Sequence, residues 1–384
     1  MKTKTMEKKR ILIIASFAGS LIRFRGDFIK SLVANGFEVF TASPSYTEED
    51  IKLIKERGAH PIEFNLHRIG LNPFKDFKSI LELKSIMKEN KIDLVFPYTV
   101  KPVIYGSIAA NMIKVPVISL ITGLGFAFSG FTRKARILQR FNETLYKLSI
   151  RKNKCIVFQN KDDYQLFLDR KVISKKQPVA FVSGSGVNLN EFTFQEKNPT
   201  DKVSFLLIAR LIKEKGIALY MDAARTLKPK YPNAEFHVIG ALQASPTAIS
   251  ADELHELHEK NIIVFHGRQM DVDKHLHQRD VFVLPSYYRE GIPRTTLEAL
   301  ACGNPIITTD SVGCRESVKD GINGKLIEPQ NLEALIDAME FFITNPDKIK
   351  EMGINSRKYA EERFDVNIIN NDLIALINKS IEQQ

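Results

Sequence analysis

The feature that most constrains this chain is an alternation of short β-branched runs with amphipathic stretches, and it starts twice. In the first half, strands are predicted at Ile11–Ala15, Glu38–Ala42, Asp93–Tyr98, Val115–Ile121, Cys155–Gln159 and Val179–Val182. Between them, helical spacing covers Phe28–Ala34, Glu48–Arg57, Phe77–Glu89, Ile104–Met112, Arg133–Ile150 and Asp162–Arg170. The pattern restarts near residue 203, with strands at Ser204–Ala209, Glu235–Ile239, Ile262–Phe265, Val281–Leu284, Ile306–Thr309 and Gly324–Ile327. Its helices include Ile217–Leu227, Thr295–Ala301, Leu332–Phe342, Pro346–Arg363 and Val366–Ile381. Alternating β and α requires parallel strands with helices on both faces. Twelve strands are too many for one ordinary doubly wound sheet, so the reading is α/β with two Rossmann-like domains facing across a cleft. The first spans 1–185, a Gly-, Asn- and Ser-rich linker 186–200, and the second 201–384, its last helix packing back on the first. Ligands in such sheets bind outside the carboxyl ends of the strands.

Composition supports a folded chain. Of 384 residues, 44% are hydrophobic and 26% charged, and no apolar run approaches the ~20 residues that span a bilayer. Three scattered cysteines, Cys155, Cys302 and Cys314, fit packed thiols in a reducing compartment rather than a disulfide scaffold or zinc site. Basic Met1–Arg10 before apolar Ile11–Ile22 imitates a signal peptide. Strand–loop–helix accounts for that segment better, with Ser16–Ser20 as a small-residue loop.

Residues 1–185 hold 32 Lys and Arg against 16 Asp and Glu, whereas 186–384 hold 23 against 29. The first half therefore suits an anionic partner, be it a membrane surface, nucleic acid or a phosphorylated substrate, unless the lysines merely reflect a Lys-rich proteome. Within it, Thr132–Lys154 places Leu138, Phe141, Leu145 and Leu148 at helical spacing, with Arg133, Arg136, Arg140, Lys147 and Arg151 on other faces. That pattern fits an interfacial helix on an anionic leaflet, or a helix whose apolar stripe packs on the sheet. Phe126, Phe128 and Phe131 just before it add apolar surface. Lys101, after a strand, is a candidate cation for an acceptor diphosphate.

The densest chemical signal is Pro285–Gly303. A buried strand enters a loop holding Glu290-Gly291-Ile292-Pro293, and a helix carrying Glu298 follows. Glycine admits a ligand close to the backbone, and the free N–H groups of a helix start suit phosphate oxygens. Alone, the segment also fits a strand–turn–helix with a solvated Glu pair. The second signal is Ala209–Gly216, after the first strand of the second half. Arg210 and Lys215 can converge there on a diphosphate, or stand solvated in a loop. Neither G-x-G-x-x-G nor G-x-x-x-x-G-K-[ST] occurs, which disfavours a dehydrogenase or a P-loop NTPase.

Arg210 and Lys215, then Gly240, then Glu290 and Glu298, then Gly303-x-Pro305 resemble glycosyltransferase family four along nearly the whole chain. The resemblance implies the GT-B fold and retaining, nucleotide-sugar-dependent transfer. Leu71-Asn72-Pro73-Phe74, Thr122-Gly123-Leu124-Gly125 and Asp310-x-x-Gly313-Cys314-x-Glu316 resemble, more narrowly, bacterial members that extend undecaprenyl-diphosphate-linked sugars. These include N-acetylgalactosaminyl-transferring, O-antigen and capsule enzymes. By position it implies that Arg210 and Lys215 hold the donor diphosphate. Glu290 meets the donor sugar's hydroxyls, with the backbone of Gly291, Ile292, Pro293 and Arg294 near sugar and phosphate. Glu298 accepts from the ribose, Arg268 and Met270 lie where the base binds, and Gly19, on the first loop, lets the diphosphate approach. Thr122 and Gly123 fall to the acceptor side with Lys101. One departure is that Ile118–Gly125 lacks the His that many relatives carry after an N-terminal strand.

The implied function is transfer of a sugar, an N-acetylhexosamine, from a UDP-sugar to a polyprenyl-diphosphate-linked acceptor. It would occur on the inner face of the plasma membrane, with no cofactor, metal or nucleic acid. A GT-B sugar-nucleotide 2-epimerase and a two-lobed sugar-binding protein are the alternatives. Asp271 and Asp273 imitate an Asp-x-Asp metal motif but suit a helix start, and His255 and His258 suit a solvated helix face.

Overall fold

The computed structural model describes residues 8–66, 72–125, 133–198, 202–242 and 247–382, apart from the side chains of 133–138. Two compact units result: 1–185 together with 366–384, and 186–365. The proposed 186–200 linker therefore belongs to the second unit. Val187 is fully buried and bridges to Asp365, and Phe192 and Lys197 are buried as well. The second unit also ends at 365 rather than at 384.

In the first unit, β1 (Arg10–Ile14) leads to α1 (Ala18–Ala34), β2 (Glu38–Ser43), α2 (Glu48–Glu56), β3 (Ala59–Glu63) and α3 (Pro73–Glu89). The chain continues through β4 (Leu94–Pro97), α4 (Val100–Met112), β5 (Ile118–Ile121), α5 (Arg133–Ser149), β6 (Cys155–Phe158), α6 (Lys161–Asp169) and β7 (Val179–Phe181). All pairings are parallel, in the order β3-β2-β1-β4 and β5-β6-β7, and bridges Val95–Val117 and Tyr98–Leu120 join the two groups. Period-2 alternation divides the core. Leu12 and Ile14 of β1 face α3, α4 and α5, whereas Ile11 and Ile13 face α1. The last helix of the chain, Val366–Glu382, covers that second face with Ile369, Leu373 and Ile377.

Two elements differ from the sequence reading. The helix after β1 starts at Ala18, so Gly19 sits in its first turn rather than on a loop. Gly19 and Ser20 lower the helix propensity of this turn, but burial of Ala18 and Leu21 overrides it. Strand β3 went unread because it contains Pro61, which a strand tolerates at a sheet edge, where β3 lies.

The second unit runs β8 (Ser204–Ile208), α7 (Ile217–Lys230), β9 (Glu235–Ile239), α8 (Ala251–Glu259), β10 (Val264–Phe265), α9 (Val272–His277) and β11 (Val281–Leu284). Then come α10 (Arg294–Cys302), β12 (Ile306–Thr309), β13 (Gly324–Ile327), α11 (Leu332–Thr344) and α12 (Asp347–Arg363); α13 is Val366–Glu382, already placed in the first unit. Its six parallel strands take the order β10-β9-β8-β11-β12-β13. The chain reverses direction across the sheet between β8 and β11, the switch point where such sheets open a crevice. Phe205, Leu207 and Val283 pack towards α7 and α11, and Leu206, Phe282 and Leu284 towards α10.

Docking of α13 on the first unit yields a test. Leu373→Ala is expected to cost about 2–5 kcal/mol, the range for emptying a buried leucine site. Hydrogen exchange should report the loss in α1 and β1 while the amides of β8 to β13 stay protected.

Candidate active site

The site grows from the C-terminal ends of β8 and β11. After β8, a 3-10 turn at Lys213–Lys215 closes on Gly216, whose φ is +75°. A Cβ there would lie 2.1 Å from the carbonyl oxygen of Pro285, so only glycine lets this turn abut the end of β11. The contact sets Lys215 beside the loop after β11. Its Nζ lies 2.5 Å from Glu290 Oε1, and both side chains are nearly buried. The Ser286 hydroxyl lies 3.0 Å from the same carboxylate oxygen. The amides of Tyr287 and Tyr288 donate to Glu214 O at 3.0 and 3.1 Å, which fastens the loop to the turn.

Tyr288 then forms a platform between the predicted cations. Its ring centroid is 5.6 Å from the Arg210 guanidinium carbon and 5.8 Å from Lys215 Nζ, within cation–π range. Arg210 is exposed and Lys215 buried. A third loop supports the second. A Cβ on Gly313 would fall 1.6 Å from Gly291 O, and the Ser311 hydroxyl donates to Ser286 O at 2.8 Å. The Asp310-x-x-Gly313 motif thus backs Glu290–Gly291, and Glu316 in the same motif pairs with Arg363 on α12.

Helix α10 begins at Arg294, behind Pro293, with Gly291 and Ile292 buried. Its first-turn N–H groups carry the positive end of the helix dipole. Arg294 Nε donates to Glu298 Oε1 at 2.8 Å. Burial pushes the Glu298 carboxyl up, and Arg294 pulls it back. Gly240 follows β9, where a Cβ would meet Ala209 O at 2.2 Å, and its amide donates to Gly267 O at 2.9 Å. Arg268 and Met270 stand exposed after β10, Met270 at 70%. Arg210, Lys215, Glu290, Glu298, Gly240, Arg268 and Met270 therefore all follow or flank the carboxyl ends of neighbouring strands. Arrangement and charge suit a phosphorylated, ring-bearing ligand.

The residues predicted in the first unit take the following places within that unit. Gly19 lies in α1, where a Cβ would meet the Phe17 ring at 3.6 Å and the Arg23 guanidinium at 3.9 Å, both ordinary contacts. Thr122 and Gly123 follow β5. Lys101 Nζ is 3.2 Å from Asp76 Oδ1, with both side chains mostly buried. Its charge is matched within the fold, and it lies in the first turn of α4. On α5, Gln139, Asn142, Tyr146 and Ser149 form the buried face, while Arg140, Phe141, Lys147 and Leu148 are exposed. Of the anticipated stripe, Leu145 packs partly on the core, and the side chains of Arg133, Arg136 and Leu138 lie outside the described residues, as do Leu71, Phe126, Phe128, Phe131 and Thr132. Asp271 pairs with Lys274, and His255 and His258 are exposed. Among the described residues, no three His, Cys, Asp or Glu side chains gather as metal ligands. The three thiols are buried and pushed up to about 11 or 12.

Sequence reasoning missed Tyr288 and Ser286, although both lie in the segment it singled out. Spacing gave no sign that Tyr288 turns towards β8. It also missed three imidazoles beneath the Gly267–Met270 loop. His237 Nδ1 is 3.0 Å from His266 Nε2, and the His266 ring centroid is 5.1 Å from that of His275. Burial foremost, then Arg279, drives His237 down to about 4, against the pull of Glu235. Burial lowers His266 and His275 too.

A histidine titrates near 6.5 in the unfolded chain. Neutral His237 therefore stabilises the second unit fully above that pH, and the contribution drains away as pH falls from 6.5 towards 4. Urea unfolding at neutral and mildly acidic pH should show it, and His237→Phe should flatten the dependence.

Comparison with known proteins shows the family and the fold. A family model described as glycosyl transferases group 1 matches residues 189–359, and one described as glycosyl transferase 4-like matches residues 10–160. The chain is 26% identical to the N,N'-diacetylbacillosaminyl-diphospho-undecaprenol alpha-1,3-N-acetylgalactosaminyltransferase of Campylobacter jejuni, over 97% of this chain and 99% of that protein. It is also 26% identical to the UDP-Gal:alpha-D-GlcNAc-diphosphoundecaprenol alpha-1,3-galactosyltransferase of Escherichia coli, over 77% and 78%. Among solved structures, a Rickettsia africae glycosyltransferase superposes with a TM-score of 0.80 at 19% identity, over 98% and 100% of the two chains. Anabaena HepE in complex with UDP-glucose gives 0.77 at 18%, over 96% and 99%. Both units of the fold are thus accounted for in order, and the chain belongs to the group 1, family-four-like glycosyltransferases and has their GT-B fold.

Proposed function

We propose that this glycosyltransferase moves a sugar, an N-acetylhexosamine, with retention from a UDP-sugar to a polyprenyl-diphosphate-linked sugar, during assembly of a surface polysaccharide or glycan. The observation that carries this reading is the placement of Arg210 and Lys215 on either side of Tyr288, next to Glu290 and the start of α10. The relatives whose names specify undecaprenyl-diphosphate acceptors, and the neighbour bound to UDP-glucose, support the choice of acceptor and donor.

The reaction breaks the bond from the anomeric carbon to the diphosphate, whose oxygen keeps the electron pair. The acceptor hydroxyl oxygen bonds to that carbon, and its proton ends on the departing diphosphate. Negative charge grows on the leaving group, so fixed cations there lower the barrier. Arg210 grips phosphate by its fork and Lys215 by its point charge. The ion pair with Glu290 holds Lys215 in place before the donor arrives. Once the donor binds, Glu290 accepts from sugar hydroxyls. Glu298, steadied by Arg294, accepts from the ribose, and the base rests by Arg268 and Met270. The α10 amides add charge stabilisation without a metal ion.

No helix among the described residues is long and apolar enough to cross a membrane. We infer peripheral attachment at the cytoplasmic face, where a polyprenyl acceptor is anchored. The exposed Arg140, Phe141, Lys147 and Leu148 of α5 are suited to an anionic leaflet.

Radiolabelled UDP-N-acetylhexosamines with a polyprenyl-diphosphate-linked sugar test the reading directly. Arg210→Ala and Lys215→Ala should each lower kcat/KM by about 10²–10³, as loss of an oxyanion-type contact does, with circular dichroism unchanged. Activity within twofold of the parent for both would remove the assignment. Turnover should also persist in EDTA; complete loss restored by Mn²⁺ would show that a metal supplies the charge instead.

A further inference from the structure

The first unit holds a cavity of about 730 Å³ that the site described above does not use. One wall is the end of α5 with the 3-10 turn Ile150–Lys152, and the other is the end of α6 with the loop that leads to β7. Two contacts join the walls. Gln177 Nε2 donates to Ile150 O at 3.0 Å, and Arg170 Nε lies 3.7 Å from Glu143 Oε1 on α5. Leu168, Val172 and Ile173 supply an apolar floor. Lys147 and Arg151 line the first wall, Lys171 and Lys175 the second, and all four are exposed. Among the described residues, none of these four side chains makes an ion pair or a hydrogen bond. Asp169 is the only acid on the lining, and its carboxylate accepts from Gln165 Nε2 at 2.7 Å. Four like charges thus gather round one cavity with a single acid to offset them.

We propose that this cavity binds a nucleoside polyphosphate, its phosphates among the four cations and its base on the apolar floor. The volume falls within the ~300–1,000 Å³ of small-molecule sites, which are mostly apolar with a few polar groups that fix orientation. Charge selects the chemistry. Arg151 offers phosphate a planar fork, and the lysines offer point charges that follow a flexible chain of phosphates. Cations on both walls suit several anionic groups rather than one, and an apolar floor suits a planar ring rather than bare inorganic phosphate. A recessed floor also favours a ligand that enters the cavity over a flat lipid surface. Position separates this ligand from the reactants. Strands β5, β6 and β7 are parallel, so α5 and α6 return the chain from the carboxyl edge to the amino edge of their sheet. The cavity therefore lies at the amino edge, opposite the edge that carries Thr122 and Gly123 and where such sheets bind their substrates. Occupancy of this cavity does not depend on the transfer reading.

Isothermal titration calorimetry of the full chain tests this with ATP, inorganic tripolyphosphate and adenosine, at low salt and without divalent cations. ATP should bind more tightly than tripolyphosphate, and adenosine more weakly than either, because only ATP uses both charge and floor. Lys171→Glu/Lys175→Glu should weaken ATP binding by about tenfold or more, as loss of charge-assisted phosphate contacts does, and Lys171→Gln/Lys175→Gln should weaken it less. Both residues lie in an exposed loop, so circular dichroism should stay as in the parent. The same binding event should persist in Arg210→Ala/Lys215→Ala, which separates the cavity from the site of the second unit. Absence of ATP binding at millimolar concentration overturns the proposal, and so does binding that both loop variants leave unchanged. Tripolyphosphate as tight as ATP overturns it as well, because the floor then takes no part. Displacement of ATP by phosphatidylglycerol vesicles would assign the cations to lipid phosphate and overturn it too.

Discussion

The ion pair between Lys215 and Glu290 is the contact on which the geometry of the second unit turns. Two nearly buried charges are costly to desolvate unless they are paired and hydrogen-bonded, and Ser286 supplies an additional partner. The pair forms because Gly216 lets the turn after β8 press on Pro285, and Gly313 lets the loop after β12 press on Gly291. Those close backbone approaches leave no slack in the Ser286–Pro293 loop. Lys215 and the start of α10 are thereby held beside Glu290 and Gly291. A diphosphate entering this site would meet a lysine already desolvated and oriented, the preorganisation that makes electrostatic stabilisation effective.

The two halves distribute their charge differently. The second half is mildly acidic overall, yet it gathers Arg210, Lys215 and Arg294 at the ends of adjacent elements. The first half carries its positive surplus across the surface, on the outer faces of α3 and α5, where Lys75, Lys78, Arg140 and Lys147 are exposed. Helix α4 packs between α3 and α5, so these faces belong to one helical layer. Charge gathered at strand ends is suited to a phosphate group, as a fork or a point charge.

Much of the fold was legible because burial leaves periodic marks. The strands of both sheets read as continuous apolar runs, since helices cover both faces. Strand β3 escaped because Pro61 breaks that pattern, and the early start of α1 because small residues conceal a helix held by packing. In the site, Arg210, Lys215, Glu290 and Glu298 were legible from residue type and from their position after strands. Tyr288 and Ser286 were not, since no spacing rule says which way a loop side chain points. The partner of Lys101, Asp76, was not legible, because it is distant in sequence and meets Lys101 only where α3 packs on α4.

By itself the sequence determined what periodicity and local chemistry can encode: two parallel α/β sheets, a basic first half, and a Gly-rich, charge-bearing loop before a helix. Tertiary structure decided which distant groups meet. It returned α13 to the first unit, because the apolar face of that helix matches the side of β1 bearing Ile11 and Ile13. It packed residues 186–198 into the second unit, and it stacked His237 on His266 with His275 edge-on to His266. It also left Phe74 and Phe77 exposed while Ile80 and Leu83 of the same helix went into the core. Hydrophobic pattern chooses the element, whereas burial, steric fit and charge pairing between elements far apart in sequence choose its neighbours.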